Sequence, residues 1–320
     1  MKVILGISAF FHDSSACLIV EGKIIAAALE ERFTRKKHDS SFPTKAITYC
    51  LKQGNMKSIE IDEVIFFEKP FTKFERILDN FTIQAPQGLF PFKKAIQSWI
   101  KEKFWIEDVF KKTFGFEGIF TYCQHHLAHA SNACYQSNYE DAAYLTIDGV
   151  GEKACTSYGV FENGKIIPIE EQQFPHSIGL LYSAFTQYCG FKVNSGEYKL
   201  MGLAPYGVPQ YKELIYEHFV SISEDGVIEL QLNKFGFLHD LKMVNKRFEK
   251  VFGVKTRNLD EPMTQFYKDV AASIQKVTEE LIYKLVNYIQ VKTGKTNLVY
   301  SGGVALNCVA NSEILKGNLF

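Results

Sequence analysis

The chain has 320 residues, of which 46% are hydrophobic and 22% are charged, a balance typical of a folded protein with a large core. Lys and Arg together number 36, as do Asp and Glu, so no net charge attracts nucleic acid or an anionic membrane. The seven cysteines include no Cys-x-x-Cys pair, and no apolar stretch has the length of a membrane span. We therefore predict a cytoplasmic protein with reduced thiols and with no nucleic-acid or membrane partner.

A pattern of strand, polar loop, strand, two-residue turn and strand occurs twice, in residues 3–28 and 144–170. Both copies carry Ala-Cys in the second strand and Gly-Lys-Ile-Ile at the start of the third. Asn163-Gly164 is a strong hairpin-turn signal, and Glu21-Gly22 is a weaker one. The repeat predicts a duplicated α/β fold of the actin/hexokinase type, in which such hairpins hold a phosphate chain. The alternative is that two common hairpins resemble each other by chance.

Helices are predicted between and after the two copies. One begins near Pro43, and the Phe- and Lys-rich residues 70–113 suggest a helical insertion. Residues 179–189 and 264–293 are predicted to be helical, the latter because its apolar residues recur at intervals of three and four. Residues 208–258 suggest a peripheral subdomain. We place the first lobe, with its insertion, at residues 1–140 and the second lobe at residues 141–320.

The segment QHHLAHA contains the most specific constellation for chemistry. On a helix, His125 and His129 project from one face because they are four residues apart, and together they can bind one metal ion. No Glu follows the first of them, so this is not the zincin motif. The alternative is a helix start with incidental histidines. A third ligand is expected to be a carboxylate, and Asp148 at the end of the strand YLTID is either that ligand or a turn former.

Two loops and two turns add weaker signals. His12 lies in the first copy's loop and is either a general base for a hydroxyl or an exposed structural histidine. Gly149 and Gly151 allow close approach of a ligand, and Ser301-Gly302-Gly303 stands between a strand and a helix start, a site suited to an anion or a ribose. The charge run from Glu30 to His38 indicates either a solvated face or a cationic wall that meets a phosphate or carbamoyl group, with Lys37 as the best candidate for that contact.

The segments FHDSSACL, LEERFTRKKHDSSFP, HHLAHA, TIDGVGE, the long stretch ending in LMGLAPYG, and SGGVALNCVAN resemble the carbamoyltransferase family along essentially the whole chain. Members of that family carbamoylate hydroxyls of antibiotics and nodulation factors. Their first domain is related to the tRNA threonylcarbamoyladenosine transferase, which has an actin-like ATPase fold.

The resemblance implies roles for particular residues. His125, His129 and Asp148 match the metal ligands, with Fe(II) the expected ion and Zn(II) the alternative, and His12 matches the histidine that deprotonates the acceptor. The nucleotide-lining turns match Gly149, Gly151, Gly302 and Gly303, with Asn307 at the adenosine end and Lys37 facing carbamoyl-adenylate. ATP and carbamoyl phosphate are the implied co-substrates, and a small hydroxylated molecule is the acceptor.

The resemblance also predicts more chain than the 320 residues contain. Family members continue into a segment that supplies another metal carboxylate and then into an adenylate-forming domain. We therefore expect a C-terminally truncated fold with an incomplete second lobe, a metal site that lacks one carboxylate, and doubtful activity of this chain alone. A tRNA threonylcarbamoyl transferase and a non-catalytic nucleotide-binding module remain alternatives.

Overall fold

The computed structural model describes residues 1–320 and contains eleven strands and twelve α-helices. The strands are β1 (Val3–Ser8), β2 (Ser15–Val20), β3 (Lys23–Leu29), β4 (Glu63–Phe66), β5 (Ile119–Tyr122), β6 (Asp141–Ile147), β7 (Ala154–Glu162), β8 (Lys165–Gln173), β9 (Val220–Ile222), β10 (Ile228–Leu230) and β11 (Leu298–Ser301). The helices are α1 (Glu31–Thr34), α2 (Thr44–Gln53), α3 (Pro70–Gln84), α4 (Leu89–Lys101), α5 (Ile106–Phe114), α6 (His125–Cys134), α7 (Ile178–Tyr188), α8 (Glu197–Leu203), α9 (Lys212–His218), α10 (Lys246–Phe252), α11 (Gln265–Thr293) and α12 (Cys308–Lys316).

The chain divides into two units. The first comprises Met1–Leu78 and Phe92–Ala128, and the second comprises Asp79–Pro91 and His129–Phe320. This differs from the predicted boundary at residues 140 and 141. Ala130 and Cys134 of α6 are buried with residues of β6, β7 and β11, so most of this helix packs with the second sheet. The predicted boundary lies between α6 and β6, whereas most of α6 belongs to the second unit with β6.

The first unit is built on a five-stranded sheet with the order β3-β2-β1-β4-β5. Strands β1, β2 and β3 are antiparallel neighbours, whereas β4 and β5 continue the sheet in parallel with β1. Buried residues alternate along β1, as expected for a strand with one face on a core. The core of this unit includes Leu5, Leu18, Ile47 and Phe110, which bring together the sheet and helices α2 and α5.

The second unit repeats that order in a four-stranded sheet, β11-β6-β7-β8. Strands β6, β7 and β8 are antiparallel, and β11 runs parallel to β6. Both two-residue turns between the second and third strands have positive φ at both positions, 49° and 76° at Glu21-Gly22 and 53° and 69° at Asn163-Gly164. The predicted repeat therefore exists in topology as well as in sequence.

The core of the second unit extends further than the sequence indicated. Helices α7 and α11 cover the sheet, and the predicted helix at residues 264–293 begins one residue later and ends before Gly294. Phe219, Phe235 and Phe248 of the supposed peripheral region are fully buried in the same core. That prediction is wrong, because its aromatic residues pack around Phe185 of α7. No helix is both long and apolar enough to cross a membrane.

Candidate metal centre and nucleotide loops

Helix α6 carries the paired histidines on adjacent turns. It begins at His125, so the predicted spacing of four residues places His125 and His129 on one face of a continuous helix. His125 is buried, and its ring packs at a centroid distance of 5.6 Å against Phe67, the residue after β4 ends. The side chain of His129 is about one-third exposed. The helix thus presents one enclosed and one accessible imidazole.

Asp148 follows directly after β6, whose last residue, Ile147, pairs with Thr156 of β7. Its backbone N–H donates to the Cys155 carbonyl at 2.9 Å, which anchors the residue to the start of β7. Its Oδ1 accepts the Gly149 N–H at 2.7 Å, while Oδ2 lies 3.3 Å from Nε2 of His129. One carboxylate oxygen is therefore held by the backbone while the other faces the histidine.

The ligand atoms of His125, His129 and Asp148 all lie within 4.8 Å of one another. Two imidazole nitrogens and one carboxylate oxygen form the donor set that non-haem Fe(II) and Zn(II) sites use. The residues therefore fit a divalent transition metal. The structure brings together the three side chains predicted to be ligands, and their binding of a metal stays a prediction.

The Gly302-Gly303 turn closes around Asp148 from β11. Strand β11 pairs with β6, and the hydroxyls of Ser301 and Thr146 are 3.0 Å apart. Gly302 has φ = +94°, and a Cβ on Gly303 would lie 2.7 Å from Oδ1 of Asp148. A side chain at residue 303 would thus displace the carboxylate, so the glycine pair shapes the ligand position as well as leaving backbone accessible.

Ser177 supports this loop, although it is not among the site residues predicted from the sequence. Its hydroxyl donates to the Gly149 carbonyl at 2.7 Å and accepts the Leu180 N–H at 3.0 Å as the N-cap of α7. Gly151 closes the same loop by donating its N–H to the Ala154 carbonyl at 2.8 Å. The signal for Ser177 was present, since Ser directly before the apolar run IGLLYSAF is an N-cap pattern.

Asn307 is buried at the start of α12 rather than open to a ligand. Its side-chain oxygen accepts the Ala310 N–H at 3.1 Å and caps the helix. The same side chain exchanges two hydrogen bonds with Gln275 of α11, at 3.0 and 3.1 Å. These contacts give Asn307 a clear structural role, and its predicted contact with adenosine stays a prediction.

The first unit brings the other two predicted residues close in the fold. The loop between β1 and β2 (residues 9–14, the His12 loop) is bonded to the segment after α1 (residues 35–42, the His38 turn) through Phe10 N–H to Ser40 O and Ser14 N–H to Asp39 O, at 2.9 and 2.8 Å. Lys37 is exposed within the His38 turn. Both segments follow ends of strands or helices at one edge of the first sheet.

Asp13 lies between two histidines, a feature that the sequence reading did not identify. Oδ2 of Asp13 is 2.8 Å from Nδ1 of His12, and Oδ1 is 3.0 Å from Nδ1 of His38. Burial acts to raise the pKa of Asp13, but the hydrogen bonds from His38 and His12 outweigh it and leave that pKa lowered. Asp13 is therefore an ionised acceptor for both imidazoles.

Glu30 departs from both readings of the charge run. It is 3% exposed, and its carboxylate accepts the backbone N–H groups of Lys45 and Ala46 at 3.2 and 2.8 Å. It therefore caps α2 from the end of β3, with the negative charge at the positive end of the helix dipole. Neither a solvated face nor a cationic wall describes Glu30, because it is buried and its carboxylate is bonded to the start of a helix fifteen and sixteen residues away.

Nearly the whole chain matches a single protein family. The family model described as "Carbamoyltransferase N-terminus" matches residues 3–320. The chain belongs to the carbamoyltransferase N-terminus family. The resemblance predicted from the sequence segments is confirmed over nearly the whole chain.

Individual relatives of this family member agree with that result. "Uncharacterized protein sll1178" of Synechocystis sp. is 46% identical over 328 residues, covering 100% of this chain and 53% of its own length. "Nodulation protein NolNO" of Sinorhizobium fredii is 28% identical over 316 residues, covering 98% of this chain and 43% of its own. The chain thus spans about half the length of these relatives.

A solved structure confirms the fold class. Component A of (R)-2-hydroxyglutaryl-CoA dehydratase from Acidaminococcus fermentans aligns with a TM-score of 0.50 at 14% identity, over 99% of this chain and 89% of that one. At that identity the likeness concerns the fold alone. The predicted duplicated actin/hexokinase-like fold is confirmed by this neighbour together with the repeated strand order.

Proposed function

We propose that this chain forms the metal-holding part of an O-carbamoyltransferase, which moves a carbamoyl group to a hydroxyl of a small molecule. The observation that carries the proposal is the convergence of His125, His129 and Asp148 in a member of the carbamoyltransferase N-terminus family. The proposed donor is carbamoyl-adenylate, formed from carbamoyl phosphate and ATP. The formation of that adenylate is assigned to no residue of this chain.

The transfer step has a simple balance of bonds. The acceptor oxygen forms a bond to the carbamoyl carbon while its proton passes to Nε2 of His12. The bond between the carbamoyl carbon and the adenylate phosphate oxygen breaks, and AMP leaves with that electron pair. Imidazole suits the proton transfer because its ordinary pKa lies near neutrality. His12 is accessible for this role, with 45% of its side chain exposed.

The glycine turns are the proposed phosphate contacts. The backbone at Gly302-Gly303 carries no side chain that would keep phosphate oxygens away from peptide N–H groups. Gly149 and Gly151 would line the phosphate only by leaving space for it, because their own N–H groups donate to Oδ1 of Asp148 and to the Ala154 carbonyl. Lys37 is exposed and free to contact an anion by charge. Asn307 is the proposed contact for the adenosine end. To bind the base, its side-chain amide would give up its two hydrogen bonds with Gln275.

A divalent ion, Fe(II) or Zn(II), held by His125, His129 and Asp148 would act as a Lewis acid toward a phosphate or carbamoyl oxygen. The protein's own contribution is the orientation of these ligands. The Gly149 N–H fixes one oxygen of Asp148, and the Ser177 hydroxyl fixes the carbonyl beside it. Such supporting contacts keep a ligand from rotating away from the ion.

Metal content tests the ligand assignment. We would purify the chain anaerobically, add Fe(II) or Zn(II), remove unbound ion and measure metal per chain by mass spectrometry. The wild type is expected to retain one equivalent and a His125→Ala/His129→Ala variant to lose it. The control is His218→Ala, which changes a partly exposed histidine at the end of α9. Retention of the wild-type metal content by the double variant contradicts the assignment.

Turnover tests the reaction. The chain is supplied with separately prepared, isotopically labelled carbamoyl-adenylate, because formation of that donor is assigned to no residue of this chain, and with either a panel of small hydroxylated acceptors or tRNA, and labelled product is counted. The proposal expects a labelled small molecule and AMP release. Label on tRNA would favour a tRNA-modifying enzyme instead. Tight ATP binding by calorimetry without any transfer would favour a nucleotide-binding module.

A further inference from the structure

The surroundings of His12 constrain its ring more than an exposed loop requires. Its Nδ1 is hydrogen-bonded to Asp13, and the Asp13 carboxylate uses its second oxygen for His38. The backbone N–H of His38 in turn donates to Oε2 of Glu31 at 2.8 Å. The three side chains His12, Asp13 and His38 therefore form a linked row, which we name the His–Asp–His row.

The backbone holds this row in an unusual conformation. Phe10, Asp13 and His38 have positive φ values of 64°, 53° and 56°, a region that non-glycine residues rarely adopt. Non-glycine residues persist there only when surrounding contacts hold them, and such residues cluster at functional sites. Here the contacts are the two backbone hydrogen bonds between the His12 loop and the His38 turn.

A second set of contacts reaches the His12 ring through Phe11. The ring of Phe11 lies 4.3 Å from the His12 ring, centroid to centroid. Nζ of Lys73 lies over the Phe11 ring at 5.0 Å, and Lys73 forms a buried ion pair with Glu68. The imidazole of His12 thus packs against an aromatic ring that is itself contacted by the lysine of a buried ion pair.

We propose that Asp13 is a positioning residue that fixes His12 as the Nδ1–H tautomer, with Nε2 directed outward as the proton acceptor. An ionised carboxylate can only accept, so Nδ1 of His12 must carry the hydrogen. His38 holds the second oxygen of Asp13 and prevents the carboxylate from rotating. The other charged groups on these two segments are Glu31, Arg35, Lys36, Lys37 and Asp39. None of them forms a hydrogen bond or an ion pair with the His12 ring, whose polar partner is Asp13.

The inference rests on the proposed function, because an outward Nε2 is useful only if His12 takes the acceptor proton. The tautomer itself is a property of the chain that is measurable without any substrate. The His–Asp–His row also predicts different roles for its members. His12 contacts the acceptor, whereas Asp13 and His38 act only by orienting His12. Loss of a ring-orienting partner is expected to slow proton transfer and leave acceptor binding nearly unchanged.

The tautomer experiment uses the 320-residue chain, loaded with diamagnetic Zn(II) and labelled with ¹⁵N-histidine. Long-range ¹H–¹⁵N spectra distinguish the Nδ1–H and Nε2–H forms of each ring, and a His12→Gln variant identifies the His12 signals. The wild type is expected to show Nδ1–H at His12. Asp13→Asn keeps a residue that tolerates positive φ, but its amide can donate to Nδ1, so the His12 signals should move to the Nε2–H form.

Glu31→Gln is the matched control, since Glu31 contacts the backbone of His38 and neither imidazole. It should leave the His12 tautomer as in the wild type. In a transfer assay, Asp13→Asn should lower kcat about 100-fold with KM within about twofold, and His38→Ala should lower kcat about tenfold. A loss confined to KM would contradict a positioning role.

The outcomes distinguish the effect of Asp13 on the His12 tautomer from the proposed carbamoyl transfer. An Nε2–H form of His12 in the wild type, or no change in Asp13→Asn, overturns the inference whatever the enzyme does. Nδ1–H in the wild type, lost in Asp13→Asn, supports the coupling even if no acceptor is carbamoylated. In that last case the proposed function fails, while the effect of Asp13 on His12 stands.

Discussion

The His12 loop and the loop between β6 and β7 (residues 148–153, the Asp148 loop) occupy the same place in the two copies of the hairpin motif. Each has six residues, and each follows the first strand of its copy. The His12 loop has two non-glycine residues at positive φ and is held by a neighbouring turn. The Asp148 loop has no residue at positive φ and is held by α7 and β11.

This difference shows how one backbone motif can present two chemistries. Equal length and equal strand pairing leave the loop side chains free to vary. In the first copy, polar side chains project outward and contact each other, as His12 and Asp13 do. In the second, small residues draw the backbone around a single carboxylate, that of Asp148. The first loop thus carries the proposed proton acceptor, and the second carries a proposed metal ligand.

The start of one helix after each copy, α2 in the first and α7 in the second, offers the largest test of this comparison. The first copy caps α2 with buried Glu30, and the second caps α7 with Ser177. Glu30→Ala leaves two helix-end N–H groups without a charged acceptor, and we expect a loss of about 2–3 kcal/mol in the free energy of unfolding. Ser177→Ala should cost about 1 kcal/mol. Urea denaturation measures both, and equal losses would contradict the asymmetry.

Acid should weaken the first copy through Asp39, whose carbonyl anchors the His12 loop. The backbone N–H of Ser41 is the largest of the contacts that lower the pKa of Asp39, to about 2 from 3.8. A lowered folded-state pKa contributes stability above pH ~4, which is lost as pH falls toward 2. At pH 6 the free energy of unfolding of the wild type should exceed that of Asp39→Asn by about 1–2 kcal/mol. That difference should shrink steadily between pH 4 and pH 2 in urea titrations.

The closeness of Gly303 to Asp148 gives a test of the second copy. A Cβ at residue 303 would lie 2.7 Å from Oδ1, whereas a Cβ at Gly202 meets nothing within 4 Å. Gly303→Ala should therefore weaken metal binding about tenfold, equivalent to about 1.4 kcal/mol. Gly202→Ala should bind metal as the wild type does. Calorimetric titration with Zn(II) measures both, and equal affinities would show that the carboxylate moves without cost.

The smallest expected effect concerns the turn within each copy. Asn163 has φ = 53°, where Asn is tolerated, and the first copy has Glu21 in the corresponding position at 49°. Asn163→Glu should lower the free energy of unfolding by about 0.5–1 kcal/mol, because Glu pays more for the left-handed conformation. Asn163→Gly serves as the control and should lie within about 0.5 kcal/mol of the wild type. If both variants unfold alike, the turn residue does not distinguish the copies.

Features set by neighbours in the chain were predictable from the amino-acid sequence. The spacing of His125 and His129 follows from helical geometry, so a single helix was enough to align them. Helix α11 was evident from its apolar period, and the hairpin turn from Asn163-Gly164. The family resemblance also lay in local segments. In each case the physical cause acts within one or two turns of backbone.

What only the tertiary structure decided depends on residues far apart in the chain. Asp13 meets His38 across twenty-five residues, and Glu30 caps a helix that begins fourteen residues later. Phe248 belongs to the main core although its sequence neighbours are polar. The surroundings of Asp148 also depend on tertiary structure, because β6, α6 and β11 place His129 and Gly303 around its carboxylate. No local period records such contacts, because they arise from how strands and helices pack together.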